Sequence, residues 1–344
     1  MKIERAGIGI ICCVMLIILS SPSPQAGEKE IDRAWGASPE ENPMEMRVAK
    51  FGLDQLLKAL EDQSSGKDSG QTPKKDAQPD TRDDPGKSRI ERRLNLMEGI
   101  GTLLSSTGEI DYGSERTIGE SLALEGFRRY GKPVKDPVLQ KYINLVGTAV
   151  AYNSRRPDIP YRFVVVDSPL QNAFSCPGGI VFLSSGLLRT IRTEGQLACI
   201  LAHEVAHVGH KHALQSIKRA RFFEGVGKIT ASTMKGSKGQ EFQSMIGDLQ
   251  SILFDRGLDQ NMEFEADLTG METAYRTGYG PNGMVEVLRA LQRIEAQSQK
   301  AGAWFSTHPP LSQRIGKCED QLKRYTDWRD MAQLPGRFER YVKP

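Results

Sequence analysis

The chain predicts an α+β domain, mainly helical, with a small sheet beside one chemistry-bearing helix. The run from Thr193 to Ile217 holds no proline and repeats Leu197, Ile200, Leu201 and Val205 as an apolar helical stripe. Two short segments, Tyr161–Val166 and Ile180–Leu183, are β-branched and aromatic enough for strands. Other periodic stretches, such as Ile90–Leu104 and Phe242–Leu253, recur at helical spacing.

Taken in order, Lys2 and Arg5 precede the apolar stretch Ala6–Leu19, and small residues follow to about Ala26. Residues 1–26 therefore read as a signal peptide, and the chain as exported to the periplasm. The apolar core is shorter than the roughly 20 residues of a spanning helix. The alternative is an uncleaved anchor in the inner membrane, with membrane association through the N-terminus. Cys12 and Cys13 lack the small residues that a lipoprotein signal places before its cysteine, so lipidation is not expected.

Residues 27–88 read as mostly disordered, because Glu61–Lys87 is rich in Ser, Gly, Pro, Asp and Lys and has little to bury. Within them Val48, Phe51, Leu56, Leu57 and Leu60 make one short amphipathic helix. Residues 89–320 form one domain of about 230 residues, enough for a sizeable core, and 321–344 a C-terminal tail. In that domain Asp136 caps a helix with Pro137 at its first position. The two strands are expected to pair through the loop 167–179, with Gly178-Gly179 turning the chain into the second. From Gly225 to Gly247 the chain is glycine-rich and polar, followed by an apolar stripe through Leu253. That segment is either a lid over a cleft or an ordinary core helix.

Charge excludes one large class of partner. The net charge of +3 comes from 46 basic and 43 acidic residues. They are interspersed, so no nucleic acid is expected. Beyond the leader Cys176, Cys199 and Cys318 remain, an odd number that makes no disulfide framework and suits packed core thiols.

The chemistry lies in His203-Glu204-Val205-Ala206-His207. Histidines four apart on a helix share a face, so both rings can reach one metal ion. Glu204 is about 100° around the helix, better placed to hold a metal-activated water than to ligate. Four of the five histidines, His203, His207, His210 and His212, fall within ten positions. A catalytic zinc needs a third protein ligand and one open position. A histidine at 213 preceded by glycine at 210 would be one solution, but those residues are Ala213 and His210. Asn261–Asp267 offers another, with Glu263 as ligand and Asp267, one turn on, accepting the free N–H of a ligating histidine. Read in isolation, that acidic cluster is a solvated helix face.

Four landmarks in order carry a resemblance: Asn172-Ala173-Phe174 running to Gly178-Gly179, the H-E-x-x-H, the E-x-x-x-D of Glu263 to Asp267, and Thr307-His308-Pro309-Pro310 followed by Arg314. Over about residues 110–318 the chain resembles the HtpX- and BepA-like zinc metallopeptidases, peptidase family M48. The resemblance implies a zincin-like metallopeptidase domain with one Zn²⁺ per chain, held by His203, His207 and Glu263, with Glu204 as general base. The edge strand of the small sheet would flank the active-site helix and hold substrate extended, Asn172, Ala173 and Phe174 lining that cleft. His308 would sit over the site, either ligating resting zinc or steadying the oxyanion; read by itself, it is a histidine capping a proline turn. Substrates would be proteins or peptides, in particular unfolded or misassembled envelope proteins. Having no long apolar run after the N-terminus, the chain resembles the soluble branch, and no tetratricopeptide docking array is expected before Pro344. A different class of function is a chaperone-like envelope factor that binds extended segments with little or regulated proteolysis.

Overall fold

The computed structural model describes residues 110–227, 238–297 and 311–342. The signal peptide, the segment 27–88, the helical run from Ile90 to Leu104, and His308 with its flanking prolines lie outside the described residues.

Helix α1 (Tyr112–Tyr130) starts at Asp111, whose carboxylate accepts from the Ser114 amide. Helix α2 (Pro137–Tyr152) starts as its sequence demands: Asp136 accepts from the amides of Val138 and Leu139, and Pro137 takes a position that needs no donor. Three strands follow, β1 (Arg162–Val166), β2 (Ala173–Cys176) and β3 (Ile180–Ser184), in the order β1-β3-β2. The two expected strands do pair, in parallel, with Arg162 opposite Ile180. The loop between them holds a third strand that the sequence reading did not contain. β2 runs antiparallel to β3 through a tight turn in which Gly178 and Gly179 take φ of 79° and 100°, values that a side chain would strain. Phe163–Val166 and all of β2 and β3 are buried, as expected of a sheet covered on both faces.

Helix α3 (Ser185–Leu188) leads to α4 (Glu194–Gly209), whose every residue from Leu197 to Gly209 is buried. β2, the edge strand, packs beside α4. The single helix expected from Thr193 to Ile217 is two: α4 ends at Gly209, Lys211 takes φ of 56°, and α5 (His212–Gly227) sets off anew. Glycine is a poor helix former, and the left-handed residue redirects the chain. Helix α6 (Lys238–Gln250) runs into a π-helical turn, Ser251–Arg256. Met245, Ile246, Leu249, Ile252, Leu253 and Phe254 are buried there, so this stripe serves the core. Helix α7 (Gln260–Thr277) lies against α4; α8 (Asn282–Gln297) packs on α4, and α9 (Leu311–Leu322) on both α7 and α8. The result is the mainly helical α+β fold with a small mixed sheet.

The segment after α9 packs on the same core. Helix α10 (Pro335–Tyr341) buries Phe338, and Tyr341 stacks on Tyr142 with centroids 4.5 Å apart. Its Arg337 reaches Glu194, which is fully buried at the start of α4 and also accepts from Tyr142 (2.9 Å) and Tyr279 (2.6 Å). Burial and the Glu194 charge push both phenols upward, so they stay protonated and donate.

Arg337→Ala leaves this carboxylate buried without its counter-charge, a change that costs about 3 to 5 kcal/mol. Urea unfolding is expected to show that loss; an unchanged midpoint would mean that the tyrosines alone satisfy Glu194.

Candidate metal centre

Two helices build the centre. On α4, His203 and His207 are one turn apart and face α7, which carries Glu263 and Asp267. The helices approach closely because Gly270 lies against the His203 backbone; a Cβ there would sit 3.0 Å from the His203 nitrogen. This contact sets Glu263 opposite the two imidazoles. His203 Nε2 is 3.0 Å from His207 Nε2 and 3.6 Å from Glu263 Oε2, and Glu263 Oε1 is 3.5 Å from His207 Nε2. A tetrahedral zinc with bonds of 2.0–2.1 Å separates its ligand atoms by about 3.3 to 3.4 Å, so these three separations, the two to Glu263 ending on its two oxygens, bracket the required spacing. Two imidazoles and one carboxylate are also the donor set of a catalytic zinc, which leaves one position open. All three side chains are buried.

The carboxylates are not left to repel each other. Arg314 on α9, fully buried, donates to both oxygens of Asp267 at 2.7 Å and lies 3.1 Å from Glu263 Oε2. Asp267 Oδ1 is in turn 3.0 Å from His203 Nδ1. Burial alone would raise the Asp267 pKa, but Arg314 and His203 outweigh it and hold the carboxyl at about 2. Asp267 thus stays an anion that accepts from His203 and leaves the opposite nitrogen of that ring for a metal.

Glu204 is buried on α4, and burial together with the Glu204 charge pushes the Cys176 thiol of β2 upward. Beside His207 runs a narrow crevice, lined by Ser175, Cys176, Pro177, His207, Leu214 and Leu253 among others. The side chains of Asn172, Ala173 and Phe174 do not line it. Phe174 stacks on Phe182 at 4.5 Å and meets Tyr130 and Phe254 edge-on or tilted, Ala173 is fully enclosed, and the Asn172 backbone pairs with Ser184. An aromatic ring on a covered strand gains more from that cluster than from a wet cleft. Among the described residues the crevice belongs to the following three positions of the strand and turn.

The structure therefore brings together His203, His207, Glu263 and Asp267, with Glu204 on the neighbouring face; His308 lies outside the described residues. Three participants had no assigned role in the sequence reading. Arg314 was visible only as a residue trailing the Thr307–Pro310 motif. His210 and His212 face Glu265, at 3.0 and 3.2 Å, and His212 Nδ1 is 2.8 Å from His207 Nδ1. Helical periodicity could not place His212, because the helix breaks before it.

Comparison with known proteins agrees with this geometry. The model of peptidase family M48 matches residues 137–321. A beta-barrel assembly-enhancing protease of Yersinia pestis is 29% identical over 239 residues, 67% of this chain and 48% of its own length. The protein of that name in Escherichia coli K12 is 26% identical over 238 residues, with the same shares. The mitochondrial metalloendopeptidase OMA1 of Schizosaccharomyces pombe is 30% identical over 194 residues, 54% of this chain and 55% of its own. The chain spans about half the length of these curated relatives.

The Asp267 contacts make the metal-stripped protein sensitive to acid. A carboxyl whose folded pKa is depressed stabilises the fold above its unfolded value of about 4, and that stabilisation is lost as pH falls from about 4 through about 2. Chelator-treated wild type is expected to lose stability across this window. In Arg314→Met burial is left unopposed, and the urea midpoint should lose that slope; parallel pH curves for the two proteins would refute the assignment.

Proposed function

The chain belongs to peptidase family M48, with a metalloendopeptidase domain over the matched residues, and from that premise we propose that it is a zinc-dependent endopeptidase of the cell envelope. In this reading His203, His207 and Glu263 hold one zinc ion per chain, and Glu204 is the general base. The convergence of three buried donor side chains from α4 and α7, with nearest donor atoms 3.0 to 3.6 Å apart, carries it. Bound zinc supplies a Lewis acid for the scissile carbonyl and brings the pKa of water near neutrality. Glu204 takes the proton of the attacking water and returns it to the leaving amine. Asp267, clamped by Arg314, keeps the His203 ring in one tautomer. The main chain of β2, an edge strand beside α4, would hold an extended segment by hydrogen bonds that ignore side-chain identity. Asn172 to Phe174 contribute to that cleft through their backbone in this reading, since their side chains are enclosed.

Unfolded or misassembled envelope proteins are the proposed substrates. The names of the Yersinia and Escherichia relatives support this choice, and the reading of residues 1–26 as an export signal supports a periplasmic location, with or without an N-terminal membrane anchor. No described helix is long and apolar enough to cross a membrane. The catalytic domain, expected over residues 89–320, is proposed to include also the segment around Arg337 and Phe338, which packs on the same core. His308 is proposed to face the metal, as a resting ligand or as an oxyanion donor. His308→Ala more active than wild type assigns the first role, and a less active variant the second.

Cleavage of casein by the purified chain tests the proposal beside Glu204→Gln, with bound zinc quantified in both. The variant should keep its zinc and lose cleavage by roughly 10²- to 10⁴-fold. Zinc-loaded wild type that cuts nothing, or a variant that cuts equally well, would sink it and favour a factor that works by binding.

A further inference from the structure

Building on His203, His207 and Glu263 as metal ligands, we propose that His212 and Glu265 are positioning residues that hold the ring of His207 through a relay of hydrogen bonds. The two nitrogens of His207 have different neighbours. Nε2 faces His203 Nε2 at 3.0 Å and Glu263 Oε1 at 3.5 Å, whereas Nδ1 lies 2.8 Å from His212 Nδ1. A neutral imidazole that ligates through Nε2 carries its proton on Nδ1. That N–H donates to His212 Nδ1, which must then be bare. The His212 proton consequently sits on Nε2, where Glu265 Oε2 lies 3.2 Å away and accepts it. One choice at the metal edge fixes each proton out to the surface carboxylate. The opposite polarity would leave a proton on His207 Nε2, aimed into the ligand triangle.

The parts of this relay are held in place. His212 is fully buried where α5 begins, just past the left-handed Lys211 that turns it back toward α4. Glu265 sits two residues beyond Glu263 on α7, on another face, and its side chain is half exposed. A second ring steadies it: His210 Nδ1 lies 3.0 Å from Glu265 Oε1, His210 Nε2 is 3.0 Å from Thr269 Oγ1, and the His210 and His212 rings stack at 5.2 Å. These two histidines and Glu265 also lie close enough to share an ion of their own. Two observations argue against that use. Arg155, Lys211 and Lys218 line the cavity that His210 and Glu265 also line, and an ion on His212 Nε2 would drive the proton to Nδ1, against the His207 N–H. The two ligand rings are thus backed differently, His203 by a carboxylate and His207 by a neutral imidazole.

Zinc affinity of the full chain, measured by chelator competition, tests the relay in His212→Phe and His212→Asn. Phenylalanine fills the ring but accepts nothing, and should weaken binding by roughly 10- to 100-fold. Asparagine can place its oxygen where Nδ1 stood, and should recover most of the affinity. A merely structural role in this buried place would favour the ring over the amide. Wild type itself offers a measurement that needs no variant: ¹⁵N NMR of the zinc-loaded protein should show a coupling across the His207 Nδ1–H to His212 Nδ1 bond, with His212 protonated at Nε2. Equal affinities in all three proteins, or His212 protonated at Nδ1, overturn the relay while the peptidase reading stands. Wild type that takes up no zinc overturns both.

Discussion

The buried guanidinium of Arg314 is the interaction on which the rest of the centre depends. Glu263 and Asp267 are enclosed one turn apart on α7, and two adjacent carboxylates in a low-dielectric interior cannot both stay ionised without a nearby cation. Arg314 supplies that charge in a planar fork matched to Asp267, with a third nitrogen left for Glu263. It therefore does two separate things. It keeps Asp267 an acceptor for His203, and it holds Glu263 beside the histidines.

Around that pair the α4 helix works as a directed element. Its first turn carries Glu194 and its last turn His207. The N-terminal end of a helix favours negative charge and the C-terminal end positive charge. Glu194 with its phenols and Arg337 occupies the first end; the ligand triangle lies toward the second, where a cation is favoured. Close contact at Gly270 then converts the spacing of two separate sequence motifs into a triangle of ligand atoms.

Much of this was legible in the sequence, for reasons that differ by residue. Histidines four apart state their shared face directly, and a carboxylate pair at the same spacing on a second helix matches them. Asp136 with Pro137 announced a helix start through local hydrogen bonding alone. What stayed hidden depends on tertiary context. β2 has only four residues and reads as loop until β3 pairs with it. The enclosure of Phe174 depends on Tyr130, Phe182 and Phe254, contributed by three other parts of the chain. His212 is out of helical phase with His207, so only the break at Gly209–Lys211 brings the rings together. Arg314 comes from 47 positions beyond Asp267, and no periodicity predicts such a pairing.

The Glu194–Arg337 contact joins residues 143 positions apart, and this has a consequence for biosynthesis. A chain emerges from the ribosome N-terminal end first, at about 5–20 residues per second. While α4 is made, the counter-charge for its buried glutamate does not yet exist, and Arg314 is likewise still to come. The nascent chain thus carries the H-E-x-x-H helix without the partner of its Glu194, and α7 in turn without the partner of its two carboxylates. Native burial of that helix is unfavourable until synthesis has passed residue 337. The candidate metal centre is in this way kept unassembled while its own polypeptide is being made.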